Sequence, residues 1–307
     1  MCPIRFLTRA RPLLLNEYTR PSPAYNDNAM RVKIVFFDAL HTIVQPRIPI
    51  FEQYHRVLTP KLGPLNPGLL KDSFKTGESL REVQQERPAY AYGNGKTDGV
   101  ENDAVRSWWK EVIRRTALGA GADPQSTSFR LGNNRLSKGV AETDAHLDDA
   151  VAELLHIFSS KKGYKLTEGT LQTVSTLQSE LGVQTGLVSN CDARILHALE
   201  DLEITSHLDP MVISELEKFE KPDAHMWQVA CQRSGTELGE AVHVGDDFDA
   251  DVLGATRAGV RAIWYRPPGQ DNNIEGNEEN IVPEGVVVVE KLVDIVDIVR
   301  RWNQGHV

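Results

Sequence analysis

The stretch that decides the fold is residues 32–44, which read Val32-Lys33-Ile34-Val35-Phe36-Phe37-Asp38-Ala39-Leu40-His41-Thr42-Ile43-Val44. It begins as an apolar run rich in β-branched and aromatic residues, and the run ends abruptly at Asp38. Runs of this kind are typical of a strand that is buried on both faces of a parallel sheet. A charged residue at the carboxyl end of such a strand is a candidate ligand group. From this stretch alone, a solvated turn or a helix cap explains Asp38 equally well.

The composition is that of an ordinary globular protein. The 307 residues suffice for one large domain or two modest ones, and 40% of them are hydrophobic. The net charge of −9 argues against a nucleic acid or an anionic membrane as partner, because no basic patch is there to recruit phosphates. A small anionic substrate remains compatible, since it needs only a few local cations. The oligomeric state stays open.

The cysteines and the first thirty residues bear on the compartment. Cys2, Cys191 and Cys231 are too few and too far apart for a disulfide framework or a zinc site. We therefore expect an intracellular protein of the cytoplasm or nucleus. Residues 1–30 predict a disordered extension, and their four arginines make a mitochondrial presequence the alternative. The apolar part, residues 12–15, is too short for a secretory signal or a membrane span.

Residues 48–162 carry a helical pattern. The clearest helix is Glu101–Leu118, in which apolar residues recur three and four positions apart, as burial of one face requires. These residues are Val105, Trp108, Trp109, Val112, Ile113 and Thr116. We interpret the tryptophan pair as core rather than as a ligand platform. A second apolar stripe, at Leu147, Val151, Leu154, Leu155 and Phe158, predicts another helix, so this region is predicted to be a helical insertion.

From residue 163 onward, strands alternate with helices. The predicted strands after the first one are Val183–Ser189, Pro210–Ser214, Ala241–Gly245, Arg261–Tyr265 and Val286–Val289. The helix Thr167–Leu181 is predicted to bury Leu171, Val174, Leu177 and Leu181, and a later helix is predicted to begin at Pro222. Residues 267–283 read as a surface loop. The alternation predicts an α/β fold with a doubly wound parallel sheet, built from residues 31–47 and 163–307.

Polar residues follow four of these strands. They are Asp38, Ser189-Asn190, Lys221-Pro222, and Gly245-Asp246-Asp247 with Asp251 one helical turn further on. Each has an ordinary explanation as a cap, a surface residue or a turn residue. Because the carboxyl ends of neighbouring parallel strands line one crevice, we expect the four sets to face each other. Their joint occurrence in this order favours a functional site.

As a set, these stretches resemble the four motifs of the haloacid dehalogenase (HAD) superfamily. The resemblance covers residues 31–265 and implies a Rossmann-like HAD core, with the helical insertion as a C1-type cap. Two further stretches resemble one subgroup of the superfamily that has fungal members. They are Trp108-Trp109-Lys110-Glu111-Val112-Ile113 and Ser189-Asn190-Cys191-Asp192-Ala193-Arg194.

The resemblance also implies a metal site. Asp38 and Asp246 are two carboxylates that need a cation between them, and Mg²⁺ prefers such oxygen ligands. The backbone carbonyl of Leu40 would supply a further oxygen. Asp247 and Asp251 would bind the metal, or would orient water and the neighbouring lysine.

The same resemblance implies a phosphoryl-transfer mechanism on a small phosphorylated metabolite. Asp38 would be the nucleophile and would form an aspartyl-phosphate that water releases. The Ser189 hydroxyl and the Asn190 amide would donate to phosphoryl oxygens. Lys221 would offset charge on Asp38 and on the phosphoryl group.

One position departs from the phosphatase pattern. In phosphatases of this superfamily the first motif has the pattern Asp-x-Asp-x-Thr. In this chain Leu40 stands at the position of the second aspartate. That aspartate protonates the leaving oxygen, and a general acid contributes about 10²–10⁴-fold. We therefore expect slow turnover of alkyl phosphates and a smaller loss for phosphoanhydrides, acyl phosphates or aryl phosphates. His41 is a weaker candidate for the acid, because adjacent side chains of an extended segment point apart.

Three hypotheses follow. The favoured one is a Mg²⁺-dependent phosphate hydrolase that is slow or selective for good leaving groups. The second is a 2-haloacid dehalogenase, whose first motif resembles Asp-Ala-Tyr-Gly-Thr and whose chemistry needs no metal. The acids at Asp246, Asp247 and Asp251 argue against it, because so many charges need a cation. The third is a non-catalytic binding or regulatory protein that retains the fold.

Overall fold

The computed structural model describes residues 31–75, 101–123, 138–269 and 282–305. Within these residues the chain divides into two compact units. The sheet unit contains residues 31–45, 165–193 and 202–305, and the helical unit contains residues 46–164 and 194–201. The predicted extension, residues 1–30, and most of the predicted loop, residues 270–281, lie outside the described residues.

The unit boundaries differ in two ways from those expected. The chain changes unit at residues 46 and 164 instead of 48 and 162, and the helix Arg194–Asp201 groups with the helical unit although it was expected in the core. The contacts of this helix explain its grouping. The Arg194 guanidinium lies 5.4 Å from the ring centroid of Trp109, and Asp201 pairs with Lys161 at 3.2 Å.

The sheet unit is built on a six-stranded parallel sheet, with strand order β5-β4-β1-β6-β7-β8. Its strands are β1 (Ile34–Phe37), β4 (Gln184–Ser189), β5 (Met211–Ile213), β6 (Ala241–Gly245), β7 (Arg261–Tyr265) and β8 (Val287–Val289). Two short strands, β2 (Val44–Pro46) and β3 (Tyr164–Leu166), pair separately. All four residues of β1 are buried between β4 and β6, so the predicted doubly wound, Rossmann-like α/β sheet is confirmed.

Helices flank this sheet at Thr170–Ser179, Ser214–Glu217, His225–Ser234, Gly254–Ala258 and Asp294–Asn303. Three details differ from the prediction. The helix predicted at Thr167–Leu181 spans Thr170–Ser179. The helix expected to begin at Pro222 begins at His225. The first of these helices buries Thr170, Thr173, Val174 and Leu177, whereas Leu171 is 45% exposed. Thr170 sets this orientation, because its hydroxyl donates to the carbonyls of Ile43 and Thr167.

The sheet's core is apolar and is anchored by large side chains. Phe36, Trp227 and Trp264 are buried in one cluster with aliphatic residues from β4, β5 and β6. Burying a side chain of this size stabilises the fold by about 1.5–3 kcal/mol. Cys191 and Cys231 are free and buried. The core therefore gives the carboxyl edge of the sheet a rigid base.

The helical unit contains the helices Ile50–Leu62, Pro67–Lys75, Glu101–Gly119, Lys138–Ile157 and Arg194–Asp201. Trp108 and Trp109 are each 2% exposed, and their rings meet edge to face with centroids 4.7 Å apart. This confirms the interpretation of the pair as core. The side chains of Val105 and of residues 138–144 lie outside the described part of the structure. No helix in the described ranges combines the length and apolar character needed to cross a bilayer.

Candidate active site

Asp38 lies where β1 ends and the chain turns sharply. Its backbone N–H still donates to the Val244 carbonyl of β6 at 2.8 Å. The turn closes when Val44 N–H donates to the Ala39 carbonyl at 2.9 Å, and His41 adopts the left-handed region with φ 65°. Because β1 ends at Phe37 and His41 has a left-handed backbone conformation, strand alternation does not set the direction of the His41 side chain. The Asp38 side chain thus leaves the sheet at its carboxyl edge.

Lys221 is the centre of the polar contacts at this edge. Its ammonium is 2% exposed and donates to Asp38 Oδ1 at 2.7 Å, to Asp251 Oδ1 at 2.6 Å and to the Val188 carbonyl at 2.9 Å. All three N–H groups of an ammonium are therefore used. Burial favours the neutral amine, but the charges of Asp251 and Asp38 outweigh burial and hold the pKa of Lys221 above its usual value. Lys221 is a buried, fixed cation.

Asp38 is buried beside two donors. Its Oδ1 accepts from the Ser189 hydroxyl at 2.8 Å and from Lys221 at 2.7 Å. Burial raises the pKa of Asp38, and the charge of Lys221 offsets only part of that effect. Ser189 is fully buried at the end of β4, so its hydroxyl is held in place. An ionised Asp38 is thus poorly compensated by protein groups alone.

Asp251 is positioned by a wide π-helical turn, Phe248–Leu253. Asp247 caps this turn, since its Oδ1 accepts from the backbone N–H groups of Asp249 at 3.0 Å and Ala250 at 2.9 Å. Asp251 Oδ2 in turn accepts from the Asp247 N–H at 3.0 Å. A Cβ on Gly245 would lie 2.2 Å from the Asp251 carboxylate, so only glycine permits this approach. Burial opposes ionisation of Asp251, but Lys221 outweighs it and lowers the pKa of Asp251.

Asp38, Asp246 and Asp251 form what we call the acid cluster. Each is buried and offers a carboxylate oxygen, and these three oxygens lie within 4.8 Å of one another. Three buried carboxylates beside one ammonium carry excess negative charge, and oxygen ligands of this kind suit a hard divalent cation such as Mg²⁺. The donor set therefore fits the metal that the sequence implied. The metal roles of Asp247 and of the Leu40 carbonyl stay predictions.

Asn190 contacts the main chain of the central lysine. Its Nδ2 donates to the Lys221 carbonyl at 2.8 Å, and its Oδ1 accepts from the Lys221 N–H at 2.7 Å. The carboxamide thereby holds the backbone from which the ammonium extends. The predicted contact of this amide with a phosphoryl oxygen stays a prediction.

Sequence reasoning missed one residue of the site, His243. It lies within β6, is fully buried, and its Nε2 is 2.9 Å from Asp251 Oδ1. Burial lowers the pKa of His243 more than the neighbouring Asp251 raises it. The one signal in the sequence was a polar residue inside the apolar strand Ala241–Gly245, a pattern that also fits a core histidine.

The geometry brings together five of the predicted residues at the carboxyl edge of one parallel sheet, namely Asp38, Ser189, Lys221, Asp246 and Asp251. This fold and this arrangement define a Rossmann-like α/β protein with a buried acidic site at the carboxyl edge of its sheet. The sequence model described as haloacid dehalogenase-like hydrolase matches residues 32–259, and the chain belongs to that family. The resemblance noted from the motifs is confirmed, and the protein is a hydrolase.

Individual relatives agree with this assignment. The chain is 24% identical over 269 residues to haloacid dehalogenase-like hydrolase domain-containing protein 3 of Xenopus laevis, covering 87% of this chain and 98% of the relative. It is 30% identical over 173 residues to ribulose-1,5-bisphosphate 5-phosphatase of Halopiger xanaduensis, covering 54% and 68%. Among solved structures, the 2-haloacid dehalogenase of Pseudomonas syringae pv. tomato DC3000 matches with a TM-score of 0.57 and 21% identity, covering 88% and 99%. The structural likeness shows the fold.

Proposed function

We propose that this hydrolase cleaves phosphate esters or anhydrides that have good leaving groups, with Asp38 as nucleophile and Mg²⁺ held by the acid cluster. The observation that carries the proposal is the approach of three buried carboxylate oxygens to within 4.8 Å beside the Lys221 ammonium. A bound Mg²⁺ would supply the positive charge that this cluster lacks and would attract a phosphoryl group. The name of the Halopiger relative supports phosphate as the group acted on.

The protein's own residues provide the nucleophile. Ser189 and Lys221 both donate to Oδ1 of Asp38, so we assign Oδ2 as the attacking oxygen. The Oδ2–P bond forms while the bond between phosphorus and the leaving oxygen breaks, which produces an aspartyl-phosphate. Water then attacks phosphorus, and the Asp38 carboxylate is released with phosphate. Lys221 offsets negative charge in both steps.

Leu40 sets the class of substrate. It is 5% exposed and occupies the position where the phosphatase pattern has an acid, so it provides no proton for a departing alkoxide. Acyl phosphates, phosphoanhydrides and aryl phosphates leave as weaker bases and need that proton less. We expect a small phosphorylated metabolite of this kind as substrate, in an intracellular compartment.

The test compares p-nitrophenyl phosphate and acetyl phosphate with glycerol phosphate, each with Mg²⁺ and with a chelator. We expect turnover of the first two, little of the third, and loss of all activity in chelator. Absence of turnover of any phosphate in Mg²⁺ would contradict the proposal.

A pair of substitutions tests the role of Leu40. Leu40→Asp restores a carboxyl group and should raise kcat on glycerol phosphate by about 10²-fold, whereas Leu40→Asn has the same size and no acidic proton. Equal rates for the two variants would show that a missing acid is not the limit.

Leu40 is also compatible with a second function, that of a 2-haloacid dehalogenase. In that reaction halide leaves without protonation, so no acid is needed at position 40. Halide release from 2-chloropropionate in the presence of chelator would favour that function. Binding of Mg²⁺ with no turnover of phosphate or haloacid would favour a non-catalytic regulatory protein.

A further inference from the structure

His243 stands out because its position does not need an imidazole. It lies in β6 opposite Phe36 of β1 and Ala262 of β7, and it is fully buried. An aliphatic residue would pack in such a strand without the cost of removing a polar ring from water. Some contact must therefore compensate for that cost. The Nε2 atom has such a contact, because it lies 2.9 Å from Asp251 Oδ1.

The geometry also determines which ring nitrogen carries the hydrogen. A carboxylate oxygen only accepts, so Nε2 is the donor. The Nδ1 atom has no hydrogen-bond partner in the described part of the chain, and the ring meets Trp227 edge to face at 5.4 Å between centroids. A hydrogen on Nδ1 would be a buried donor without an acceptor, which costs more than a bare nitrogen facing apolar atoms. The imidazole is thus neutral, with its hydrogen on Nε2.

Asp251 is held from both sides. Its Oδ1 accepts from His243 at 2.9 Å and from Lys221 at 2.6 Å, and its Oδ2 accepts from the Asp247 N–H at 3.0 Å. Without the imidazole, rotation of the carboxylate toward other partners would meet less resistance. Lys221, which spans Asp251 and Asp38, would then lose its fixed orientation.

We infer that His243 is a positioning residue of this site: its Nε2–H orients Asp251, and Asp251 in turn holds Lys221 against the nucleophile Asp38. The inference rests on the proposed function for its consequence in turnover. Its structural half, the donation from Nε2 to Asp251, holds whether or not phosphate is the substrate. Partners that orient the groups bound to a metal or a substrate typically contribute 10–100-fold to metal affinity or activity.

The first experiment needs no activity. Nitrogen-15 NMR of the metal-free protein, with the signals of His243 assigned from their loss in His243→Gln, reports which ring nitrogen carries the hydrogen among the nine histidines. We expect a single tautomer with hydrogen on Nε2, and in Asp251→Asn we expect its Nε2–H signal to shift. A dominant Nδ1–H tautomer in the wild-type protein would overturn the inference.

The second experiment separates positioning from packing. His243→Gln places an amide N–H at about the reach of Nε2, whereas His243→Leu fills the space without a donor. With p-nitrophenyl phosphate as substrate, His243→Leu should lower kcat by about 10–100-fold and change KM by less than about 3-fold. His243→Gln should retain most of the wild-type kcat. Trp227→Phe perturbs the same packing without touching Asp251 and should leave kcat within about 3-fold.

Equal losses in the Gln, Leu and Trp227→Phe variants would show a packing role and would overturn the inference. If His243→Leu does not fold, His243→Asn serves instead, because its amide is too short to reach Asp251.

If the wild-type protein turns over no phosphate, the proposed function fails, and the same variants are compared by Mg²⁺ titration. We then expect about 10-fold weaker binding for Leu or Asn than for Gln. Equal affinities would overturn the inference.

Discussion

Two regions of the molecule are equally buried for different reasons: the acid cluster of the sheet unit and the tryptophan pair of the helical unit. Burial disfavours the charges of Asp38 and Asp251, and Lys221 outweighs that effect at Asp251 but offsets only part of it at Asp38. Trp108 and Trp109 bury large apolar surfaces that favour folding directly. Buried charge is a poor means of stabilisation, whereas buried aromatic surface is an effective one. The tryptophan pair therefore stabilises its unit directly, whereas burial of the acid cluster is costly and is explained by the function that we propose for it.

The sharpest way to break this contrast is Asp38→Asn. We expect kcat on p-nitrophenyl phosphate to fall by at least about 10³-fold, since the proposed nucleophile is lost. The urea unfolding free energy should stay equal or rise, because one of three clustered negative charges is removed. Asp249→Asn, at an exposed carboxylate of the π-helical turn Phe248–Leu253, should change neither quantity. A variant that loses several kcal/mol of stability would mean that the cluster is mainly structural.

Trp108→Ala should give the opposite result. Removing a fully buried indole costs about 3–5 kcal/mol, and Trp108→Phe should cost less because it leaves a smaller cavity. Limited proteolysis of the helical unit and urea denaturation would measure the loss, and Mg²⁺ titration should show an unchanged affinity. Normal stability with a loss of substrate binding alone would instead identify the pair as a ligand platform.

Glu220 is a second example of a buried charge that costs stability in the sheet unit, since burial raises its pKa to about 7. Because the folded pKa lies above the unfolded one, the ionised form costs stability. This cost is absent below about pH 4.5, grows as the pH rises to about 7, and is then constant. Glu220→Gln should therefore raise the unfolding free energy at pH 8 by about 1–3 kcal/mol relative to its effect at pH 4.

Glu111 in the helical unit should give the smallest effect, with the opposite sign. Hydrogen bonds from Arg114 and Arg115 lower its pKa to about 2, although the side chain is partly exposed. Its stabilising contribution is present above about pH 4.5 and is lost as the pH falls toward 2. Solvent screening limits the contribution to about 1 kcal/mol or less. Thermal unfolding of Glu111→Gln against wild type at pH 7 and pH 3 would measure it, and 1 M NaCl should reduce it.

The sheet was largely predictable because a central parallel strand is apolar along its whole length. The strands Ala241–Gly245 and Arg261–Tyr265 have the predicted limits, and β4 begins one residue later than predicted. Which face of a helix is buried was harder to predict. Leu171 was expected inside and is exposed, because side-chain hydrogen bonds of Thr170 orient that helix and a hydrophobic count does not include them.

The sequence predicted which polar residues of the site follow the strands. It did not predict all of the hydrogen-bond partners of their side chains. Asp38, Ser189, Lys221 and Asp251 meet as expected. That the Asn190 amide contacts the Lys221 backbone depends on distances between residues thirty-one positions apart, which no local pattern encodes.

By itself the sequence determined the fold class, the order of the strands' polar ends and the missing acid at Leu40, because each depends on residue type and local spacing. Folding is needed to bring His243 within 2.9 Å of Asp251, to make Asp247 the cap of a turn, and to group Arg194–Asp201 with the helical unit. These are contacts between side chains that are brought together by packing. Their energies depend on burial and on angles of approach, which exist only once the chain has folded.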